Sequence, residues 1–298
     1  MQRWDADGTW EPTETEECQI VPVQLGEELV YVVDTPGFDD TDRSDAEILE
    51  EITRFLATQY ECGIKLRGII FLHRITDIKM QGSALTNFHI FQELCGEEAL
   101  GNVILLTTMW DQLDNVGVGT RRQHELREEY WSSMIEHGSH VRKFHPASAS
   151  LAEALVCRLL EKDNVVLQIQ KDVMEQGKAL EATAIGRFVI ERLEKRLDSL
   201  AKEMERLEAE AAFARQRGDQ RRQKLTEKKI ERVQATRQSL TASRVRLTSS
   251  MQSEIRERVG KEKRASRWKN GIQIFATIVG LTLSATNIIL PLLGVSLG

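Results

Sequence analysis

The chain has 298 residues, 29% of them charged and only 6% aromatic, with a formal net charge of −6. That length fits one or two domains, and the charge-rich, aromatic-poor composition fits a large share of exposed helix. The acidic balance excludes a general basic footprint for nucleic acid, and the scattered Cys18, Cys62, Cys95 and Cys157 lack metal-site spacing and read as reduced thiols of a cytosolic protein.

Met1 to Trp10 is polar and acidic, with no apolar core of an export signal. Residues 1–160 hold four of the five prolines and alternate short apolar runs with amphipathic stretches. Strands are predicted at Cys18–Val23, Leu29–Val33, Gly68–Leu72 and Val103–Thr107. Between them, Ile48, Ile52, Phe55 and Leu56 share one helical face, as do Phe88, Phe91 and Leu94. Further helices are predicted over Thr120–Ile135 and Leu151–Leu160. Strands alternating with helices predict an α/β domain with a parallel sheet covered on both faces.

Two strand ends carry chemistry. The Val-rich run in Val30-Tyr-Val-Val-Asp-Thr-Pro-Gly-Phe-Asp-Asp-Thr41 ends in Asp34-Thr-Pro-Gly37, the third conserved loop of GTPases. There an Asp at a strand end holds a Mg²⁺-bound water, and the Gly lets a backbone N–H approach the γ-phosphate. The alternative is an Asp-capped turn. Phe38 follows, where some GTPases place a water-orienting Gln, so no residue is assigned a catalytic role. Asn102-Val-Ile-Leu-Leu-Thr-Thr-Met-Trp-Asp111 is a second strand with a polar end. It falls where a guanine-reading Asn-Lys-x-Asp loop belongs, with Thr108 in the Asn place, Met109 in the Lys place and Asp111 positioned to accept from the guanine N1–H and 2-amino groups. Met109 could cover the base by packing alone; a helix-capping Asp is the alternative for Asp111. His73 and Arg74 end another strand and read either as a phosphate or partner contact or as a structural pair.

From Glu161 to Trp268 there is no proline, and Leu193, Leu197, Leu200, Met204 and Leu207 recur at steps of four and three, a coiled-coil seam. Its continuation would place Gly218, Arg221, Lys228 and Arg232 in the core, whereas a second seam begins at Val233, Leu240 and Leu247. A helical hairpin turning in Arg215-Gln-Arg-Gly-Asp-Gln-Arg-Arg222 reconciles the two. A continuous helix about 160 Å long is the rival.

Residues 271–298 contain no charge. Ile272–Leu292 has the length of a membrane span. Arg256, Arg258, Lys261, Lys263, Arg264, Arg267 and Lys269 precede it, with Trp268 at the boundary, which predicts a tail anchor with the bulk of the chain on the cytoplasmic face. Ala276, Gly280 and Ser284 form a possible helix-pairing face. The alternatives are a helix buried in the protein and a re-entrant hairpin.

Taken together, Ile69-Ile-Phe-Leu-His-Arg-Ile-Thr-Asp77, Gly82-Ser83, Phe91-Gln-Glu-Leu-Cys-Gly96 and Thr107-Thr-Met-Trp-Asp111 resemble the septin- and AIG1-type P-loop GTPases seen mostly in fungi, over about residues 13–160. The resemblance implies a partial Ras-like sheet at 1–160 followed by a helical coiled-coil arm at 161–269; the membrane-tail segment at 270–298 rests on its own composition. It implies GTP and Mg²⁺ as ligands, with Thr15 as the switch Thr on Mg²⁺ (Thr13 competes), Asp34 on the metal, Gly37, Thr108 and Asp111 on the nucleotide, and a base-packing loop in Ala147-Ser-Ala-Ser150. It implies a membrane-tethered assembly or trafficking switch, self-associating through the G domain or coiled coil, without nucleic acid as partner.

One part is missing. No Gly-x-x-x-x-Gly-Lys-Ser/Thr stretch exists in the chain, nor the strand before it, so the backbone cradle for the β- and γ-phosphates is lacking. In a Ras-like sheet that strand lies centrally, beside the Asp34 strand. The chain therefore reads as the later part of a GTPase, as a degenerate pseudo-GTPase scaffold, or as a sheet completed by a partner. Normal GTP hydrolysis is not expected from it.

Overall fold

The computed structural model describes residues 2–4, 10–12, 17–38, 43–265 and 270–279. Strands β1 (Gln2–Trp4) and β2 (Trp10–Pro12) pair antiparallel. Strands β3 (Gln19–Leu25) and β4 (Glu28–Asp34) form an antiparallel hairpin across a two-residue Gly26-Glu27 turn. Short loops of this length connect antiparallel neighbours, so this pair stands apart from the parallel sheet that the alternating pattern predicts.

Helix α1 (Asp45–Glu61) starts at a capping box. Ser44 Oγ accepts from the Glu47 N–H, and the Glu47 carboxylate accepts from the Ser44 N–H. Its Ile48, Leu49, Ile52 and Phe55 are buried. Three strands then form the parallel sheet in the order β5 (Ile69–Arg74), β6 (Val103–Thr108), β7 (His140–Lys143). Helix α2 (Ser83–Cys95) connects β5 to β6; α3 (Val116–Glu125) and α4 (Ser132–Glu136) lie between β6 and β7.

The single helix expected over Thr120–Ile135 is broken. A π turn at Leu126–Tyr130 closes on the bond from Trp131 N–H to Leu126 O (2.7 Å). The extra residue shifts the helical phase, and Leu126, Trp131 and Met134 all end buried.

Helix α5 (Ala149–Leu160) covers one face of the sheet, packing Leu155 and Leu159 on Ile104 and Leu106. The other face joins the main core, which contains Val103, Leu105, Phe88, Trp110, Trp131 and the apolar face of α1. That core also runs through residues 161–275. Leu167, Ile169, Val173 and Met174 belong to it, around the short α6 (Gln168–Gln170). Gln170 is buried there because its amide donates to Leu56 O and Gln59 Oε1, and buried Asp172 pairs with Lys178 at 3.1 Å.

The arm is a hairpin of α7 (Ala184–Gln216) and α8 (Gln220–Thr248). Gly218 takes φ +68°, a left-handed conformation that glycine adopts without a Cβ clash, and Asp219 Oδ1 caps α8 by accepting from Arg222 N–H. Arg222–Glu210 and Arg244–Glu194 pairs tie the helices together. The base of the arm (Ile185, Val189, Leu193, Leu247) sits in the main core, whereas Leu200, Met204, Leu207 and Val233 form a separate cluster farther out. Arg246 clamps the base by pairing with Glu47 at 2.6 Å.

Helix α9 (Gln252–Ala265) returns along α1, burying Ile255 and Val259. Helix α10 (Gly271–Val279) holds the first part of the expected membrane tail. Its Ile274 and Phe275 are buried in the main core, with the Phe275 ring edge-on to Phe55 at 4.9 Å. Among the described residues no helix is long and apolar enough to cross a membrane. Residues 280–298 and Trp268 lie outside what is described, and with them Gly280 and Ser284 of the small-residue face.

Candidate functional site

Parallel pairing puts the C-terminal ends of β5, β6 and β7 at one sheet edge, where ligands bind in open α/β sheets. The register matches Arg74 with Thr108 and Thr107 with Lys143. The loop after β6 is the most constrained part of this edge. Met109 has φ +59°, the one non-glycine residue at positive φ among those described. A left-handed conformation costs a residue with a Cβ about 1–2 kcal/mol, and such outliers cluster where structure serves a site.

The neighbouring residue explains how the turn is held. Trp110 is buried, and its indole N–H donates to Thr107 O (3.2 Å) and Thr107 Oγ1 (3.0 Å). Gly119 of α3 lets that helix approach the ring, since a Cβ there would lie 2.7 Å from Trp110 Cζ3. Lys143 Nζ stands 3.8 Å from the ring centroid. The left-handed turn thus sends Trp110 inward and leaves Asp111, on the next 3₁₀ turn, exposed to solvent. Thr108 ends β6 half-buried, its hydroxyl donating to His73 O at 3.4 Å. Ser148, in the Ala147–Ser150 loop, caps α5 by accepting from Leu151 N–H.

His73 and Arg74 part company. His73 shares the face of Ile69 and Phe71, is buried, and lies edge-on to Trp131 at 5.9 Å. Burial lowers its pKa, opposed by Asp77 and assisted by Arg74, so it is neutral near pH 7 and suits packing rather than phosphate binding. Arg74 is exposed and pairs with Asp77 at 3.5 Å. The cavity beside them, bounded by His73, Asp77, Met80, Arg122, Leu126 and Tyr130, has a volume of about 10 Å³, room for one water at most. Arg122 closes it by donating to Ile75 O and Thr76 O.

Asp34 and Gly37 lie on the other sheet. Asp34 is the last residue of β4 and is half-buried; Pro36 is buried and Gly37 exposed. The structure does not join this hairpin by strand pairing to the β5 edge. Thr15 and its competitor Thr13 lie outside the described residues. Among those residues no group of three or more His, Cys, Asp or Glu could hold a metal ion. A Mg²⁺ carried by nucleotide phosphates and water needs only one carboxylate.

Two participants were missed by sequence reasoning. Trp110 anchors the loop, and Lys143 brings a cation to the same edge. The buried position of Trp110, between Met109 and Asp111 just past a strand end, has no periodic signal. Cys18, Cys62 and Cys95 are buried, their thiols pushed up by desolvation (to about 12 for Cys18 and about 11 for Cys62), and Cys157 is exposed. No family model and no curated protein matches this chain.

Proposed function

We propose that the chain carries the guanine-reading part of a septin- or AIG1-type G domain, acting as a nucleotide-dependent, membrane-tethered assembly switch. The observation that carries this reading is where the sheets divide. A Ras-like sheet has one strand, the strand leading into the phosphate loop, between the Asp34 strand and the next parallel strand. Here β4 pairs only with β3 and β5 only with β6 among the described residues, and that strand is the one the sequence lacks. The α5-side face of β5 supports it as well. Leu72 is 63% exposed there, although strands of parallel sheets are ordinarily covered on both faces.

In this reading Asp111 accepts from the guanine N1–H and 2-amino groups, Met109 and Thr108 border the base, and Asp34 would hold Mg²⁺ through water. The exposed Asp111 carboxylate suits a base, and the half-buried Asp34 carboxylate suits one water-mediated metal contact. The sequence offers no Gly-x-x-x-x-Gly-Lys-Ser/Thr stretch to cradle the β- and γ-phosphates, so turnover of GTP above background is not expected from this chain. Titration of a fluorescent GTP analogue, with Mg²⁺, into the full chain tests the reading. Binding should weaken about tenfold or more in Asp111→Ala, the effect of losing hydrogen bonds to a charged acceptor.

The missing phosphate loop itself favours a second reading: a non-catalytic scaffold that self-associates through its arm. Absence of analogue binding up to millimolar concentration would select it.

A further inference from the structure

We infer that the outward face of α8 is a docking surface for an anionic lipid bilayer. Charge is strongly segregated along the chain. Residues 220–269 hold sixteen Lys or Arg against five Asp or Glu, while the remainder holds 24 against 41. Within α8 the cations divide into two sets. Arg222, Arg244 and Arg246 turn toward α7 and α1 and are neutralised by Glu210, Glu194, Glu47 and Glu50. Arg221, Lys224, Lys228 and Arg232 are all exposed and make no side-chain ion pair or hydrogen bond among the described residues.

Those four follow one another at steps of three, four and four, so they stand in one row about 16 Å long on a single helix face. Lys229 flanks the row. Leu225, 56% exposed, lies one turn from Arg221, Lys228 and Lys229. At the same end of the hairpin Phe213 is 47% exposed under Arg217, whose guanidinium lies 4.5 Å from the ring. Cations with an apolar side chain set among them suit a headgroup region, where charge meets phosphate and the apolar group enters the acyl boundary. The arm is placed to reach such a surface, because its outer seam packs only on itself. This surface extends the membrane part of the proposed function to a second site and depends on neither nucleotide binding nor the apolar tail.

Lipid titrations of the full chain test it, using vesicles of neutral phosphatidylcholine and vesicles with added phosphatidylserine. Neutral vesicles give the share due to the tail, and the anionic increment gives the share due to charge. The variant Arg221→Gln/Lys224→Gln/Lys228→Gln/Arg232→Gln should keep its circular dichroism and its partition onto neutral vesicles. It should lose about a hundredfold or more of the anionic increment, since each surface cation contributes about fivefold. High salt should remove the same increment from the parent chain. An increment retained by the variant would assign it to the cations at 256–269 and overturn the proposal. So would tighter, variant-sensitive binding to a short RNA than to anionic vesicles, or a salt-sensitive self-association abolished by the same variant.

Discussion

The two strand ends that carry Asp34 and Asp111 are built on very different supports. Strand β6 has a neighbour on each edge and a helix layer on each face, and Val103 through Thr107 are all buried. Strand β4 has one neighbour, and none of its residues is buried. The loop after β6 can therefore hold a strained Met109 and a buried Trp110, because the surrounding packing over-determines it. The loop after β4 is held by smaller contacts, the buried Pro36 and the half-buried Phe38 against the main core. Position at a strand end marks a residue for function, but packing on both edges of that strand is what makes the position rigid.

Breaking the anchor should show the difference most strongly. Trp110→Ala removes a buried ring and its two hydrogen bonds, and about 3–5 kcal/mol of stability should go with it, whereas Val32→Ala on β4 should cost about 0.5 kcal/mol. Chemical denaturation of both variants measures the contrast; equal losses would mean that the hairpin is as tightly integrated as the sheet.

A smaller effect separates structure from chemistry on β5. His73 has its pKa lowered by burial. Below its unfolded value of about 6.5 the unfolded chain takes up the proton first. The stability contributed by neutral His73 is thus fully present above that pH and is lost as pH falls toward the folded pKa. His140 acts in the same direction, through burial and then Lys162, Arg142 and Arg158. Melting temperatures between about pH 7.5 and pH 5.5 should fall less in His73→Gln than in the parent, by on the order of 1–3 °C. An unchanged slope would remove His73 from the account.

Much of this architecture was legible in the chain. Apolar runs marked β4 to β6, and the weaker run Cys18–Val23, interrupted by Gln19 and Pro22, marked β3, all within two residues at each end; the phase break between the seams marked the hairpin at Gly218. Strand β7 was not legible, because only Val141 of its four residues is buried and three neighbours are basic. Residues 161–183 looked like the start of an exposed arm, since their buried Leu167, Ile169, Val173, Met174 and Leu180 are interrupted by Gln170, Asp172 and Thr183, which go inside on hydrogen bonds and break the hydrophobic period. The side taken by His73 was readable from the alternation of Ile69, Phe71 and His73. Sequence motifs singled out Asp34 and Asp111, but nothing in them tells whether the two strands pair in one sheet, and among the described residues they lie in separate sheets.

A change of base preference is the sharpest test of the proposed guanine-reading role of Asp111. Asn at this position offers one donor and one acceptor. It therefore suits xanthine, with a carbonyl at C2, better than guanine, with a 2-amino group. Competition between GTP and XTP for the full chain and for Asp111→Asn gives the answer. GTP affinity should fall about 10- to 100-fold in the variant, with XTP becoming the preferred ligand. An unchanged GTP affinity, or loss of both nucleotides without a switch in preference, would contradict that role.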